Sequence, residues 1–216
     1  MDPLRGVQGD YGLICEIEDD SDSKLFLVFR RKDGAQFSLR RSELYRDDLR
    51  LSLLAEADTL KKIMHRNLVR LEDIWISEMR DRKICNILME LCEVDLATIH
   101  SRAVAAMSVT NENPLLRKDE GRLHTVLEDY CQQMLEGLSY LHSLGHAHSD
   151  LRLSNIFVKE QYGRPAVKLG DPGLAKRIRY APRAPFPPEL STAEAICGEQ
   201  AAVLHLVHTI TSVIEG

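Results

Sequence analysis

The stretch HAHSDLRLSN (His146 to Asn155) places an aspartate (Asp150), an arginine (Arg152) and an asparagine (Asn155) within six residues, between an amphipathic run and the apolar IFV. Three readings are open: a catalytic loop, the remains of one, or a polar loop joining a helix to a strand. Aspartate and asparagine side chains bond readily to nearby backbone, so turn and cap roles would account for both. Further along, Asp171-Pro172-Gly173 is a good β-turn sequence without any metal. Glu56 stands in a charged helical segment, where a carboxylate is ordinarily just solvated. The residue types alone leave catalytic and structural roles both open.

The surrounding elements narrow the choice. YGLICEI and KLFLVFRR are short apolar runs of strand formers, and Asp33-Gly34 between LFLVF and FSL signals a hairpin. Leu53, Leu54, Ala57, Leu60, Ile63 and Met64 then follow three-and-four spacing, which predicts an amphipathic helix over roughly 47–64. LVRLEDIWI and ICNILMEL are two further strands, joined by the charged turn SEMRDRK. Residues from about 101 to 122 contain Asn-Pro and read as a long connection. Next, Leu127, Tyr130, Cys131, Met134, Leu135, Leu138 and Leu141 line one face of a helix that Gly145 ends. NIFV and AVKLGD are short strands. After the proline-rich YAPRAPFPPEL comes a last apolar helix, EQAAVLHLVHTITSVIEG. Strands followed by helices make an α+β pattern.

Composition excludes several classes. The 216 residues are 44% hydrophobic and 28% charged, ordinary values for a globular protein. A net charge of -5 gives no support to a nucleic-acid or membrane-surface role. The five cysteines are dispersed, odd in number and without CxxC spacing, which argues against a disulfide framework or zinc site. No apolar run reaches the ~18 residues of a transmembrane helix and no signal peptide is visible, so a cytoplasmic or nuclear location is expected.

In this order the local words resemble the eukaryotic protein kinase family, from about residue 12 to the end. GLSYLHSLGHAHSDLRLSNIFV resembles the family's helix E and catalytic loop, whose pattern is H-R-D-L-x-x-x-N. KLGDPGLA stands where the D-F-G metal motif belongs, PPEL resembles A-P-E, EADTLKKIMHRNLVRL resembles helix C and the strand after it, and ILMELCEVDL resembles the hinge. The resemblance implies an α+β, bilobal fold, with a strand-rich N-lobe over 1–91 and a helical C-lobe over 92–216 that ends near helix F, where several family helices would still follow. It implies that Asp150 accepts the proton of an attacking hydroxyl, that Asn155 and Asp171 hold magnesium, and that Glu56 pairs with a strand lysine. Around the nucleotide it places Leu25, Ser38, Arg40, Glu90, Cys92 and Phe157.

Departures from the pattern weigh against activity. The strand lysine is Arg40, a planar fork rather than a point charge. EDDSDS (Glu18 to Ser23) stands where a glycine-rich loop would cradle phosphates, and four of its six residues are acidic. A competing register would use VQGDYGLI (Val7 to Ile14) as that loop. Ser149 replaces the arginine of H-R-D, so no cation is available there to read a phosphorylated activation segment, and Tyr180 is the only hydroxyl of LAKRIRYAPRAPFPPEL. Pro172 replaces the D-F-G phenylalanine in a stack with Leu60, Leu71 and His148, as resembles the pseudokinase domains of Janus kinases. Phe157 and Ser38 roughen the adenine slot. Ala202 stands where an aspartate would anchor the catalytic loop. The expectation is a degenerate kinase domain acting through a protein partner, with no cofactor, or a weakly active serine/threonine kinase using ATP and magnesium. Nucleic acid and membrane are not expected partners, and the oligomeric state stays open.

Overall fold

The computed structural model describes residues 9–19, 23–44, 54, 58–79, 82–110, 120–148, 150–161 and 163–170. Glu56, Ser149, the segment from Asp171 onward and the last helix of the sequence reading lie outside them. The chain divides into two compact units. One contains the described residues up to Met64 together with Val69–Leu91; the other contains His65–Leu68 and residues 92–170.

The first unit is a five-stranded antiparallel sheet of β1 (Tyr11–Asp19), β2 (Ser23–Arg30), β3 (Gln36–Leu44), β4 (Leu71–Met79) and β5 (Arg82–Glu90), in the order β1-β2-β3-β5-β4. Alternation along each strand sorts the side chains. Phe26, Val28, Phe37, Leu39, Trp75 and Leu88 form a buried cluster on one face, with Tyr11, Leu13 and Ala35 packed against it. Tyr11 stacks on Trp75 and meets Phe37 edge-on. The expected hairpin joins β2 to β3. Gly34 takes φ 72°, the Asp33 carboxylate accepts the Ala35 N–H, and Arg30 clasps the same carboxylate at 2.6–3.1 Å. That guanidinium holds the Asp33 carboxyl at about 2, well below its usual range. Beside the apolar cluster lies a buried polar knot: Asn86 donates to Trp75 O, Ser77 Oγ and Ile84 O, and accepts from Arg41 Nε at 3.0 Å.

Two strand boundaries differ from the sequence reading. β4 begins at Leu71, because Leu68 pairs in parallel with Leu169 in the second unit. The strands also run into the charged turn, with Ser77, Glu78 and Met79 paired to Ile84, Lys83 and Arg82. Of the helix expected over 47–64, the structure describes helical residues at 54 and 58–60. Leu60 and Ile63 are buried as expected, but Met64 is 65% exposed, because the helix has already ended in a turn at Lys61-Lys62.

The second unit holds α1 (Leu96–Thr110), α2 (Glu120–Ser143) and a sheet of β6 (Val94–Asp95), β7 (Ile156–Gln161) and β8 (Arg164–Leu169) in that order. α1 corrects the long connection expected from residue 101. Its LATIHSRAVAAM is rich in good helix formers, and Asp95 caps it by accepting from Thr98 N and Thr98 Oγ1 at 2.8 and 2.9 Å. On α2, Met134, Leu138 and Leu141 are buried as their spacing predicts, whereas Leu135 is 51% exposed. Gln133 takes a buried place instead, because a polar segment docks on this part of the helix. That segment is His65–Leu68. Asn67 Nδ2 donates to Gln133 Oε1 (3.0 Å) and Val167 O (2.8 Å), while Leu169 N donates to Asn67 O (2.9 Å). Gly137 lets it approach: a Cβ there would stand 2.9 Å from Asn67 O.

Candidate functional site

The sequence-predicted residues fall in both units. In the second unit the chain leaves α2 through Gly145, in the left-handed region at φ 74°, and His146 N returns to Leu141 O at 3.1 Å. It then passes through His148, which is fully buried, and reaches Asp150. A 3₁₀ turn at Leu153–Asn155 follows and leads directly into β7.

This turn brings Asp150 and Asn155 together. Asn155, 1% exposed, donates its amide to the main-chain carbonyl of Asp150 at 2.9 Å and to carboxylate Oδ2 at 2.8 Å. Those bonds leave Asn155 Oδ1 as the oxygen that could serve a cation. The Gly170 N–H donates to Asn155 O at 2.8 Å, tying the residue before Asp171 to the turn. Asp171 itself, and therefore a full metal-binding set, lies outside the described residues. Among the described residues no group of three or more histidine, cysteine, aspartate or glutamate side chains could hold a metal ion.

Arg152 is the residue of this turn to which sequence reading gave no role. Its Nε stands 3.4 Å from Asp150 Oδ2, so that oxygen has a guanidinium on one side and an amide on the other. The signal was its place two residues after Asp150, inside the polar cluster. Phe157 follows in β7, opposite Asp95 and Lys168. Cys92 is partly buried and in no disulfide, just before β6.

In the first unit, Arg40 lies in the middle strand, 7% exposed, with Leu25 opposite it on β2 and Ile87 on β5. Ser38, two residues away, shares that face with Leu27 and Met89 opposite. Leu25, Ser38 and Arg40 are therefore brought to one sheet face. Glu56, expected to pair with Arg40, lies outside the described residues. Glu90 ends β5 with most of its polar atoms engaged. Its N–H donates to Arg70 O and its Oε1 accepts from Arg70 N, both at 3.0 Å, while its carbonyl accepts the Ser38 hydroxyl at 3.3 Å. The sequence suggested no contact between Ser38 and Glu90; the antiparallel register of β3 and β5 creates it.

The β1–β2 hairpin bears on the two segments that the sequence reading offered as a glycine-rich loop. Asp19 pairs with Lys24 and Glu18 with Leu25, so the connection falls at residues 20–22 within Glu18–Ser23. Gly12 of the competing segment stands inside β1 opposite Phe29, whose ring packs where its Cβ would be. Residues 20–22 themselves lie outside the described residues.

The comparisons with known proteins agree with this architecture. A family model described as protein kinase domain matches residues 19–198. This chain belongs to the protein kinase domain family, and its α+β fold, with a five-stranded antiparallel sheet preceding the helices, is that family's. A probable cell division protein kinase of Encephalitozoon cuniculi is 32% identical over 175 residues, covering 78% of this chain and 48% of the relative. Mitogen-activated protein kinase HOG1 of Candida albicans is 29% identical over 168 residues, 78% of this chain and 36% of that protein. Serine/threonine-protein kinase WNK3 of Mus musculus is 32% identical over 126 residues, 57% of this chain and 6% of its own length. The chain thus spans about half or less of the length of these relatives.

Proposed function

We propose that this protein kinase domain works as a regulatory or protein-interaction module whose ATP binding is weak or absent. The observation that carries the reading is the register of β1 with β2, which supports taking the acidic, glycine-free Glu18–Ser23 as the counterpart of a phosphate cradle. Glycine would let backbone N–H groups approach phosphates; carboxylates oppose them. A unit charge pair at about 4 Å is worth about 1 kcal/mol in water and about 4 at an effective dielectric of 20. Several carboxylates near a triphosphate therefore remove several kcal/mol of affinity. Arg40 supports the same reading, because a buried guanidinium fork does not replace an ammonium point charge. As they stand, these residues do not fit an adenine nucleotide. The partner proposed is a protein, in the cytoplasm or nucleus; the net charge of -5 speaks against nucleic acid or an anionic membrane. Titration with ATP and magnesium tests the reading, which expects no thermal stabilisation.

A second reading, a weakly active serine/threonine kinase using ATP and magnesium, draws support from the Asp150–Asn155 pairing and the Gly170 tie. Under it Glu56 and Asp171 keep the roles the family gives those positions. Phosphoryl transfer that disappears in both Asp150→Ala and Asp171→Ala would establish it, and transfer surviving in both variants would point to a contaminant.

A further inference from the structure

β1 ends the first sheet. It pairs with β2 on one side, and its other edge has no strand partner among the described residues. Such an edge presents main-chain N–H and C=O groups to a further strand, and proteins commonly blunt it with charge and bulges. β1 has both. Its register against β2 slips at Ile14 and again at Ile17, so neither isoleucine is matched to a β2 residue. Yet the edge does not hide its apolar side chains: Ile14 is 44% exposed and Ile17 is 51% exposed. Cys15 and Glu16 between them are exposed as well. With Met64, the two isoleucines are the exposed large apolar side chains among the described residues of this unit.

Charge selects what can cover them. From Asp10 to Ser23 the chain carries Asp10, Glu16, Glu18, Asp19, Asp20 and Asp22, with no lysine, arginine or histidine. Lys24 on β2 approaches Glu16 at 3.6 Å, an exposed pair that offsets one of these charges. A second copy of the chain would set this acidic strand against itself, and like charges directly across a strand pair are destabilising. A strand carrying lysine or arginine gains instead. We propose that the outer edge of β1 is a docking site for an extended segment of a partner protein in which basic residues alternate with apolar ones. The apolar side chains cover Ile14 and Ile17, and the basic ones meet the carboxylates. The two slips limit the main-chain ladder to short runs, so side-chain contacts carry more of the selectivity. The proposal rests on the reading of this domain as an interaction module and names the chemistry of its partner.

The probe is a peptide of nine residues, the length of β1, alternating lysine and valine; a second peptide has glutamate for each lysine. Both are titrated against the full chain by anisotropy of an N-terminal label. The double variant Ile14→Thr/Ile17→Thr keeps β-branched residues on the strand while removing apolar surface. Leu135→Thr, at an exposed position in the second unit, is the control. Unfolding midpoints report whether the variants are folded, and the comparison of the two peptides on the wild type needs no variant. The lysine peptide should bind the wild type and Leu135→Thr alike, and the double variant about tenfold more weakly. Its affinity should fall between about 0.05 and about 0.5 M salt, and the glutamate peptide should not bind. No saturable binding of the lysine peptide, equal affinity for the glutamate peptide, or equal affinity of a folded double variant overturns the proposal. Self-association of the wild type that the double variant abolishes, seen by sedimentation, would make a second copy the occupant and overturn it too. ATP titration separates the two claims: saturable ATP binding overturns the proposed function and leaves the peptide result standing, whereas failure of the lysine peptide overturns the docking site alone.

Discussion

Asn155 donates its side-chain amide to both the main-chain carbonyl and the carboxylate of Asp150, at 2.9 and 2.8 Å. Both bonds lie within the turn itself, so they stabilise it whether or not the domain performs catalysis. Asn155→Ala removes both bonds from a site that is 1% exposed and should cost about 1–3 kcal/mol. Asp150→Ala keeps the carbonyl bond, and it releases Arg152, whose side chain is 43% exposed and can turn to water. Its cost should be the smaller of the two in denaturant unfolding. An Asp150 variant destabilised as much as the Asn155 variant would contradict this division of roles.

Gly137→Ala should destabilise the chain although alanine is the better helix former by about 1 kcal/mol. The new methyl would meet Asn67 O at 2.9 Å, the Leu169 Cδ1 at 3.2 Å and the Asn67 Cβ at 3.3 Å. The first neighbour is backbone, fixed by its bond from Leu169 N, and cannot step aside cheaply. Overpacking of this kind costs about 1–3 kcal/mol. A urea midpoint equal to or above that of wild type would show that the Asn67 segment is loosely seated.

His65 should make stability depend on pH. Its Nδ1 accepts the Asn67 N–H at 3.2 Å and its ring stacks on Tyr140 with centroids 4.9 Å apart. Burial pushes its pKa below 6.5, aided by Arg66 and Lys168 and opposed by Glu136. The folded chain therefore binds this proton less readily than the unfolded chain. The contribution is complete above the unfolded value of 6.5 and is lost as pH falls through the depressed folded value. Unfolding midpoints measured from about pH 7.5 down to about pH 5.5 should decline, and His65→Gln should flatten that decline. Equal slopes in both proteins would remove His65 from the account.

Much of the fold was legible because local patterns coincide with burial. The Asp-Gly hairpin, the alternating Phe26 and Val28, and the spacing of Met134, Leu138 and Leu141 each state one element's buried face directly. The misreadings share a physical cause, namely tertiary contacts that periodicity does not carry. Leu135 fits the apolar stripe, yet Gln133 is the buried neighbour, because Asn67 brings hydrogen bonds to that surface. α1 was hidden by the polar residues that follow it in the sequence. Within the candidate site, residue types pointed to Asp150 and Asn155. The contact of Arg152 with Asp150 and that of Ser38 with Glu90 depend on a turn and on a strand register, neither of which composition encodes.

The central claim is that the domain no longer holds ATP well, and the unfolding midpoint measured against ATP with magnesium or manganese tests it most directly. A ligand present at about 100 times its Kd adds about 2.7 kcal/mol, which for a chain of this size raises the midpoint by about 5–10 °C. The account predicts no saturable rise with either metal. A saturable rise of that size would contradict it and favour the weakly active kinase.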